Sequence, residues 1–182
     1  MILLVVILVV LGLWGVATYN GIAQLGVRAD GAWSDIDVQL KRRHDLIPNL
    51  VETVKGYAAH ERQVFQQVTE ARSRAMQATG PDAKSAAEGQ LTASLKSLFA
   101  VAENYPELRA NQNFLGLQQS LEQIEEAVQS ARRYYNAVVR DYNTKLTVLP
   151  DRLVGQLGGF KPRAFFQLDA PDERTTPRVS FS

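Results

Sequence analysis

The sequence contains no cysteine, and histidine occurs only twice, at His44 and His60. Without cysteine the chain can form neither a disulfide, nor a thiolate metal site, nor the lipid-modified cysteine of a lipoprotein. Di-metal carboxylate sites in helical bundles use Glu-x-x-His motifs, whereas Lys41 and Tyr57 stand three residues before the two histidines. The chain also lacks a P-loop, a dinucleotide-binding fingerprint and a Gly-x-Ser-x-Gly elbow. We therefore expect no catalytic residue, no metal and no cofactor.

Charged side chains are absent from the first 27 residues, and positions 2–11 are all Leu, Ile or Val. A membrane-spanning helix needs about 20 mostly apolar residues. On insertion scales, ten central aliphatic residues contribute about −3 to −6 kcal/mol. Aromatic rings favour the membrane interface, which suits the far end of this stretch. The sequence thus predicts a transmembrane anchor over residues 1–20. Its members include Ile2, Leu11, Trp14 and Tyr19.

The apolar stretch fits an uncleaved anchor better than a cleaved signal peptide. No Lys or Arg precedes it, and residues 16–19 make a poor small-residue cleavage site. The first basic residue after the stretch is Arg28, followed by Lys41, Arg42 and Arg43. Because basic residues near a span stay in the cytoplasm, we expect a single pass with the N-terminus outside and the body cytoplasmic.

Charge of one sign does not dominate the chain, which has 20 basic and 19 acidic residues. A nucleic-acid-binding surface needs a basic field, so we expect no nucleic-acid partner. The body of the protein after residue 20 is long enough for one domain with its own core.

Apolar residues recur at spacings of three and four over almost the whole body. The longest series runs from Phe114 to Tyr142 in alternating steps of three and four, and Leu149 follows one heptad later. Such a repeat predicts a long helix over residues 110–148 with left-handed coiled-coil packing. No alternating strand pattern accompanies it. The fold class predicted is all-α, an N-terminal transmembrane helix continuing into an antiparallel four-helix bundle with coiled-coil-like packing.

The remaining helices have recognisable boundaries. One stripe starts near Leu50, with Pro48 suited to a first helical turn and Asp45 to an N-cap, and Gly80-Pro81 ends it. A shorter stripe from Leu91 is closed by Pro106. Glycine and proline then predict an irregular tail in which Phe160, Phe165, Phe166 and Leu168 dock on the bundle or a partner, while residues beyond Ala170 look disordered. The expected domains are therefore an anchor at 1–20, a bundle at 21–155 and a tail at 156–182.

A dense polar segment before these helices is the candidate interaction or structural site, which we call the polar patch. It consists of Asp35, Asp37, Gln39, Arg42, Arg43, Asp45 and the more distant Glu61. Asp35, Gln39 and Arg42 share one helical face, and Asp37 is spaced to pair with Lys41. Salt bridges that set the register of the bundle are the favoured interpretation, and a partner-binding surface is the alternative.

Glu61 falls on the apolar stripe of the second predicted helix. A carboxylate buried there would need a partner or a proton. We expect it to pair with Arg132, Arg133 or Tyr134, in which case Glu61→Gln would be far milder than Glu61→Ala.

Several segments resemble the LemA family. They are AWSDIDVQLKRRHDLIPNL at residues 32–50, AENYPEL at 102–108, NFL at 113–115 and the Tyr-Asn pairs at 19–20, 135–136 and 142–143. The match spans nearly the whole chain, with Leu149-Pro150 a mild departure from the Phe-Pro of that family. The resemblance implies a bacterial inner-membrane protein with a short external N-terminus and a cytoplasmic helical bundle. It implies no activity, although it points to membrane organisation.

Three functions are compatible with these features. The favoured one is a non-enzymatic scaffold that forms a homo-oligomer on the lipid bilayer. Its support includes the doublets Leu46/Ile47 and Leu50/Val51, which widen an apolar stripe enough to serve two neighbours. The second is an adaptor or regulator that docks a membrane or envelope-stress protein at the cytoplasmic face. An enzyme with a Ser-His-Asp arrangement is the third and least favoured.

Overall fold

A computed structural model describes residues 1–167 of the chain. Those residues form helices and no strands, which confirms the all-α prediction. The helices are α1 Ile2–Lys55, α2 Arg62–Gln77, α3 Pro81–Glu103, α4 Pro106–Arg109, α5 Gln112–Thr147 and α6 Asp151–Leu157. The expectations for Leu168 and for residues beyond Ala170 fall outside the described residues.

Helix α1 joins the apolar stretch to the body without a linker, as predicted. It is continuous over 54 residues, and it is the only helix of the described chain that is long and apolar enough to cross a membrane. Its most apolar 18-residue window is only 6% buried. Farther along, Ile36, Leu40 and Ile47 of the same helix are buried. One helix thus carries an uncovered apolar first third and a remainder that packs into the protein.

The prediction that a second helix starts near Pro48 is wrong, because Pro48 lies inside α1 and Asp45 is not an N-cap. A proline in a helix has no N–H for the carbonyl four residues earlier, here that of His44. The Nε of Arg72 in α2 donates to that carbonyl at 2.7 Å. The Arg72 side chain therefore replaces the missing backbone donor, and α1 continues to Lys55.

The long helix predicted over residues 110–148 is confirmed as α5. Its buried residues include a series spaced by seven. That series is Phe114, Leu121, Val128, Tyr135 and Tyr142. A turn with a cis Leu149-Pro150 peptide bond leads to α6, which ends two residues inside the segment expected to be an irregular tail.

Two compact units divide the described chain. The first unit comprises residues 1–37 and 129–165. In it α1 and α5 run antiparallel, since Gly26 lies near Tyr142 and Trp33 lies 5.3 Å from the ring of Tyr135.

The second unit comprises residues 38–128 together with Phe166 and Gln167. Its core is built by the end of α1, by α2, α3 and α4, and by the beginning of α5. Both Leu doublets contribute, because Ile47, Leu50 and Val51 are buried and Leu46 packs against them. These doublets therefore serve the core of the chain itself.

Candidate functional site

The second unit holds a group of charged and polar side chains, three of which are buried in its otherwise apolar interior. We call it the Arg43 cluster, and it consists of Arg43, His44, Glu88, Thr92 and Glu125. Arg43 and Glu88 are 1% and 0% exposed, and His44 is 5% exposed. Charges this deeply buried are stable only when they are paired and hydrogen-bonded.

The pairing within the cluster is nearly complete. Arg43 donates from Nη1 to Glu88 at 2.9 Å and from Nη2 to the Thr92 hydroxyl at 2.7 Å. The Nη2 of Arg43 also lies 2.6 Å from Glu125, and the Nε2 of His44 lies 2.7 Å from the second carboxylate oxygen of Glu88. One guanidinium and two carboxylates thereby join α1, α3 and α5. Within the described chain the Nε of Arg43 is the buried side-chain atom left without a hydrogen-bond partner.

Glu125 is the solvent-facing member of the Arg43 cluster, with its side chain 32% exposed. Burial raises the pKa of its carboxyl above the ordinary value of 4.5. Arg43 opposes this shift, and the negative charge of Glu88 adds to it. The loss of hydration on burial is the largest cause of the raised pKa, and the attraction of Arg43, which Glu88 also engages, does not offset it.

The chemistry of the Arg43 cluster is that of charge pairing. A histidine oriented by a carboxylate is part of many hydrolytic sites, but such a site also needs a nucleophile on the histidine and an open path for substrate. The Thr92 hydroxyl instead accepts a hydrogen bond from Arg43 and donates one to the backbone carbonyl of Glu88 at 3.0 Å. The geometry therefore supports a register lock between helices.

The polar patch predicted from sequence is only partly drawn into this cluster. Arg43 is its single fully buried member. Asp35, Arg42 and Asp45 are exposed, whereas Asp37 and Gln39 are half-buried. Gln39 accepts a hydrogen bond from Arg42 at 3.4 Å on the surface. The expected pairing of Asp37 with Lys41 stays a prediction.

The expectation of a buried carboxylate at Glu61 is wrong. Glu61 lies at the N-cap of α2, where its side chain is half-exposed and makes no capping hydrogen bond. The helical structure is interrupted between Lys55 and Arg62, so residue 61 does not belong to a continuous helical stripe. The buried carboxylate is Glu88, which sequence reasoning missed. The spacing could have revealed it, because Glu88 stands three residues before Leu91 and so falls on the apolar stripe of α3.

In the first unit, a second polar group holds the segment after α6. We call it the tail clasp, and it consists of Asp30, Tyr135, Tyr142, Asn143 and Arg163. The amide of Asn143 donates to the Arg163 carbonyl and accepts from the Arg163 N–H, both at 2.9 Å.

The remaining contacts of the tail clasp involve charge and aromatic rings. The guanidinium of Arg163 pairs with Asp30 and lies 5.5 Å from the centre of the Tyr142 ring. Asp30 raises the pKa of Arg163 above its ordinary value. The Tyr135 hydroxyl donates to the Ala164 carbonyl at 2.9 Å. Docking of the tail is thus observed for this segment, and Phe166 is fully buried while Phe165 remains partly exposed.

Comparison with known proteins gives one family and a set of relatives. The profile of the LemA family matches residues 32–181. The chain is 25% identical to magnetosome proteins MamQ 1 and MamQ 2 of Paramagnetospirillum magneticum in an alignment of 175 residues that covers 82% of this chain and 64% of each relative. It is 25% identical to magnetosome protein MamQ of Magnetospirillum gryphiswaldense in an alignment of 174 residues that covers 81% of this chain and 64% of that protein. The chain therefore spans less than two thirds of these relatives.

Proposed function

This chain belongs to the LemA family, and we propose that it is a non-enzymatic, membrane-anchored scaffold that self-associates at the cytoplasmic face of the bacterial inner membrane. Its role would be membrane organisation, in keeping with relatives that are named as magnetosome proteins. The body would be an antiparallel four-helix bundle, anchored by one pass with the N-terminus outside.

The observation that carries the proposal is the uncovered first third of α1. Side chains from Ile2 to Leu13 are exposed although nearly all are aliphatic. Leaving a stretch of about 18 apolar residues in water is strongly unfavourable, whereas a bilayer solvates it. The same helix continues into the core of the second unit, so the anchor and part of that core belong to one continuous helix.

Self-association is supported by a bare face of the anchor. A Cβ built on Gly12 or Gly15 meets no atom within 4 Å. Small residues let helix backbones approach closely in a membrane, where packing drives association. The Leu doublets of α1 give no such support, because they are buried in the core of the chain itself.

Analytical ultracentrifugation of the full-length protein in detergent tests the scaffold. We expect an oligomer, and we expect Gly12→Ile combined with Gly15→Ile to shift it towards the monomer by blocking close helix approach. The control is Val9→Ile combined with Val16→Ile, which places the same side chain at other exposed positions of the same helix. A wild-type protein that remains monomeric at high concentration would contradict the scaffold.

An adaptor is the second candidate, and a groove in the second unit favours it. A cavity of about 650 Å³ lies among α3, α4 and α5. Apolar Phe99 and Leu115 line it together with charged Glu103 and Arg109. A concave surface of mixed polarity suits one specific partner.

Affinity capture with full-length protein separates the two candidates. The variant Asp35→Asn with Asp37→Asn changes two carboxylates of the polar patch, and Leu115→Glu changes the groove. Loss of one captured partner with an unchanged oligomer size favours the adaptor. Unchanged capture with both variants, together with a stable oligomer, favours the scaffold.

A further inference from the structure

Helix α6 and the turn before it expose an apolar surface that nothing in the described chain covers. The surface consists of Val148, Leu149, Leu153 and Leu157, and we call it the α6 patch. Leu153 and Leu157 are four residues apart and share one face of the helix. Leu157 is 90% exposed. Single exposed apolar residues are ordinary on protein surfaces, but four within ten residues mark an interaction site.

The opposite face of α6 is packed closely against the rest of the first unit. Gly155 is buried, and a Cβ placed on it would lie 2.7 Å from Leu146 and 3.9 Å from Ile22 of α1. The absence of a side chain at Gly155 therefore lets α6 lie against α1 and α5. Because this inward face is filled, the α6 patch points away from the protein.

The position of α6 along α1 places the patch beside the apolar stretch. A small apolar cavity of about 410 Å³ is lined by Gly15, Val16 and Tyr19 of α1 and by Val154 and Leu157 of α6. These residues of α1 form the last turns of the stretch that ends at Tyr19. In a bilayer spanned by residues 2–19, Leu157 therefore lies at the same depth as Gly15 and Val16.

Contacts of a glycine and two aromatic rings fix the end of α6 beside Tyr19 of α1. The rings of Tyr19 and Phe160 lie 5.2 Å apart. Gly158 lies against both rings, since a Cβ on it would be 2.8 Å from Phe160 and 3.1 Å from Tyr19. The depth of Leu157 is therefore set by packing in the first unit.

The charges around the α6 patch suit a lipid surface. Arg152 is exposed on α6, and Lys161 is exposed four residues after Leu157. The one acidic residue between positions 148 and 163, Asp151, is paired with Lys145 at 3.3 Å. Apolar side chains flanked by basic ones are the pattern of segments that lie in the interface of anionic membranes.

We propose that residues 148–157 are a second membrane-contacting element, which lies in the interface of the bilayer leaflet at the Tyr19 end of the anchor. The α6 patch enters the upper acyl region, and Arg152 and Lys161 face anionic lipid phosphates. This assignment rests on the proposed anchoring of residues 2–19. With two points of contact the first unit is held at the membrane surface in one orientation.

Single-cysteine fluorescence in the full-length protein tests the element, because the chain has no cysteine of its own. Leu153→Cys and Leu157→Cys are labelled with an environment-sensitive fluorophore in vesicles of phosphatidylcholine and phosphatidylglycerol. Met76→Cys is the matched control, since Met76 and Leu153 are both 54% exposed. Leu8→Cys reports on the anchor.

We expect probes at Leu153 and Leu157 to be quenched by spin-labelled lipid and to be severalfold less sensitive to iodide than the probe at Met76. Iodide access equal to that at Met76, with the Leu8 probe shielded, overturns the α6 element and leaves the anchor standing. An iodide-accessible Leu8 probe overturns the anchor and the element with it. Probes at Leu153 and Leu157 that neither iodide nor spin-labelled lipid quenches indicate a protein partner, which also overturns the lipid assignment.

Discussion

Arg43 and Glu88 each take a position that helical periodicity would give to an apolar residue. Arg43 lies between Leu40 and Ile47 on the buried face of α1, and Glu88 precedes Leu91 on that of α3. Replacing such a pair with well-packed apolar residues is often neutral, but removing one partner leaves a buried charge. We therefore expect the pair to contribute more to the choice of register than to net stability.

For these single residues, we predict a large effect of Glu88→Ala on stability. It leaves Arg43 and His44 without their shared acceptor, and we expect a loss of about 3–5 kcal/mol in the free energy of unfolding. Urea unfolding of the full-length protein in detergent measures it. The control is Glu126→Ala on the exposed surface of α5, which should change little. Equal losses for both variants would contradict a buried ion pair.

The raised pKa of Glu125 predicts a pH-dependent stability. A carboxyl whose pKa is raised by folding binds its proton more tightly in the folded state, so stability present below pH 4.5 is lost as the pH rises through the folded pKa. Glu125→Gln cannot ionise, and we expect it to gain stability relative to the wild type as the pH rises from 4.5. Denaturant midpoints across that range measure the effect, with Glu122→Gln as the exposed control. Parallel curves for wild type and Glu125→Gln would argue against it.

At the scale of elements, the length of α1 depends on a side chain from another helix. Pro48 removes a backbone donor from α1, and Arg72 of α2 supplies a substitute to the His44 carbonyl. A boundary signal that is sound for an isolated helix therefore fails here. The break falls instead at residues 56–61, where Gly56 and the following turn separate α1 from α2.

A double-mutant cycle tests this substitution of donors. Arg72→Ala leaves the His44 carbonyl without its donor, and we expect a loss of about 1–3 kcal/mol. In a Pro48→Ala background the new N–H can bond that carbonyl, so Arg72→Ala should cost clearly less. Thermal and urea unfolding of the four proteins give the coupling free energy. Additive losses would mean that Arg72 acts through some other contact.

At the scale of the whole molecule, two long helices each contribute to both compact units. Helix α1 supplies residues to the first unit and to the second, and so does α5. The proposed anchor is the beginning of α1, so removal of residues 1–20 would also remove Tyr19 from its contact with Phe160. Membrane attachment and folding are then properties of the same element.

The proposed topology can be tested with single introduced cysteines, because the chain has none of its own. With the body in the cytoplasm, Met76→Cys should resist a membrane-impermeant maleimide in intact cells and react after lysis. Ile2→Cys, at the opposite end of the anchor, should react without lysis. Labelling of Met76→Cys in intact cells would reverse the orientation inferred from Arg28 and the basic residues that follow.

The helical class, the continuity of the apolar stretch with α1 and the extent of α5 could all be predicted from the sequence. These features follow from hydrophobic periodicity, which depends only on neighbouring residues. The tertiary structure alone decided that Glu88 and not Glu61 is the buried carboxylate, that Pro48 lies inside a helix and that Asn143 binds the tail. Each of those outcomes depends on groups far away in the chain, because burial and the pairing of polar groups are set by which helices pack together.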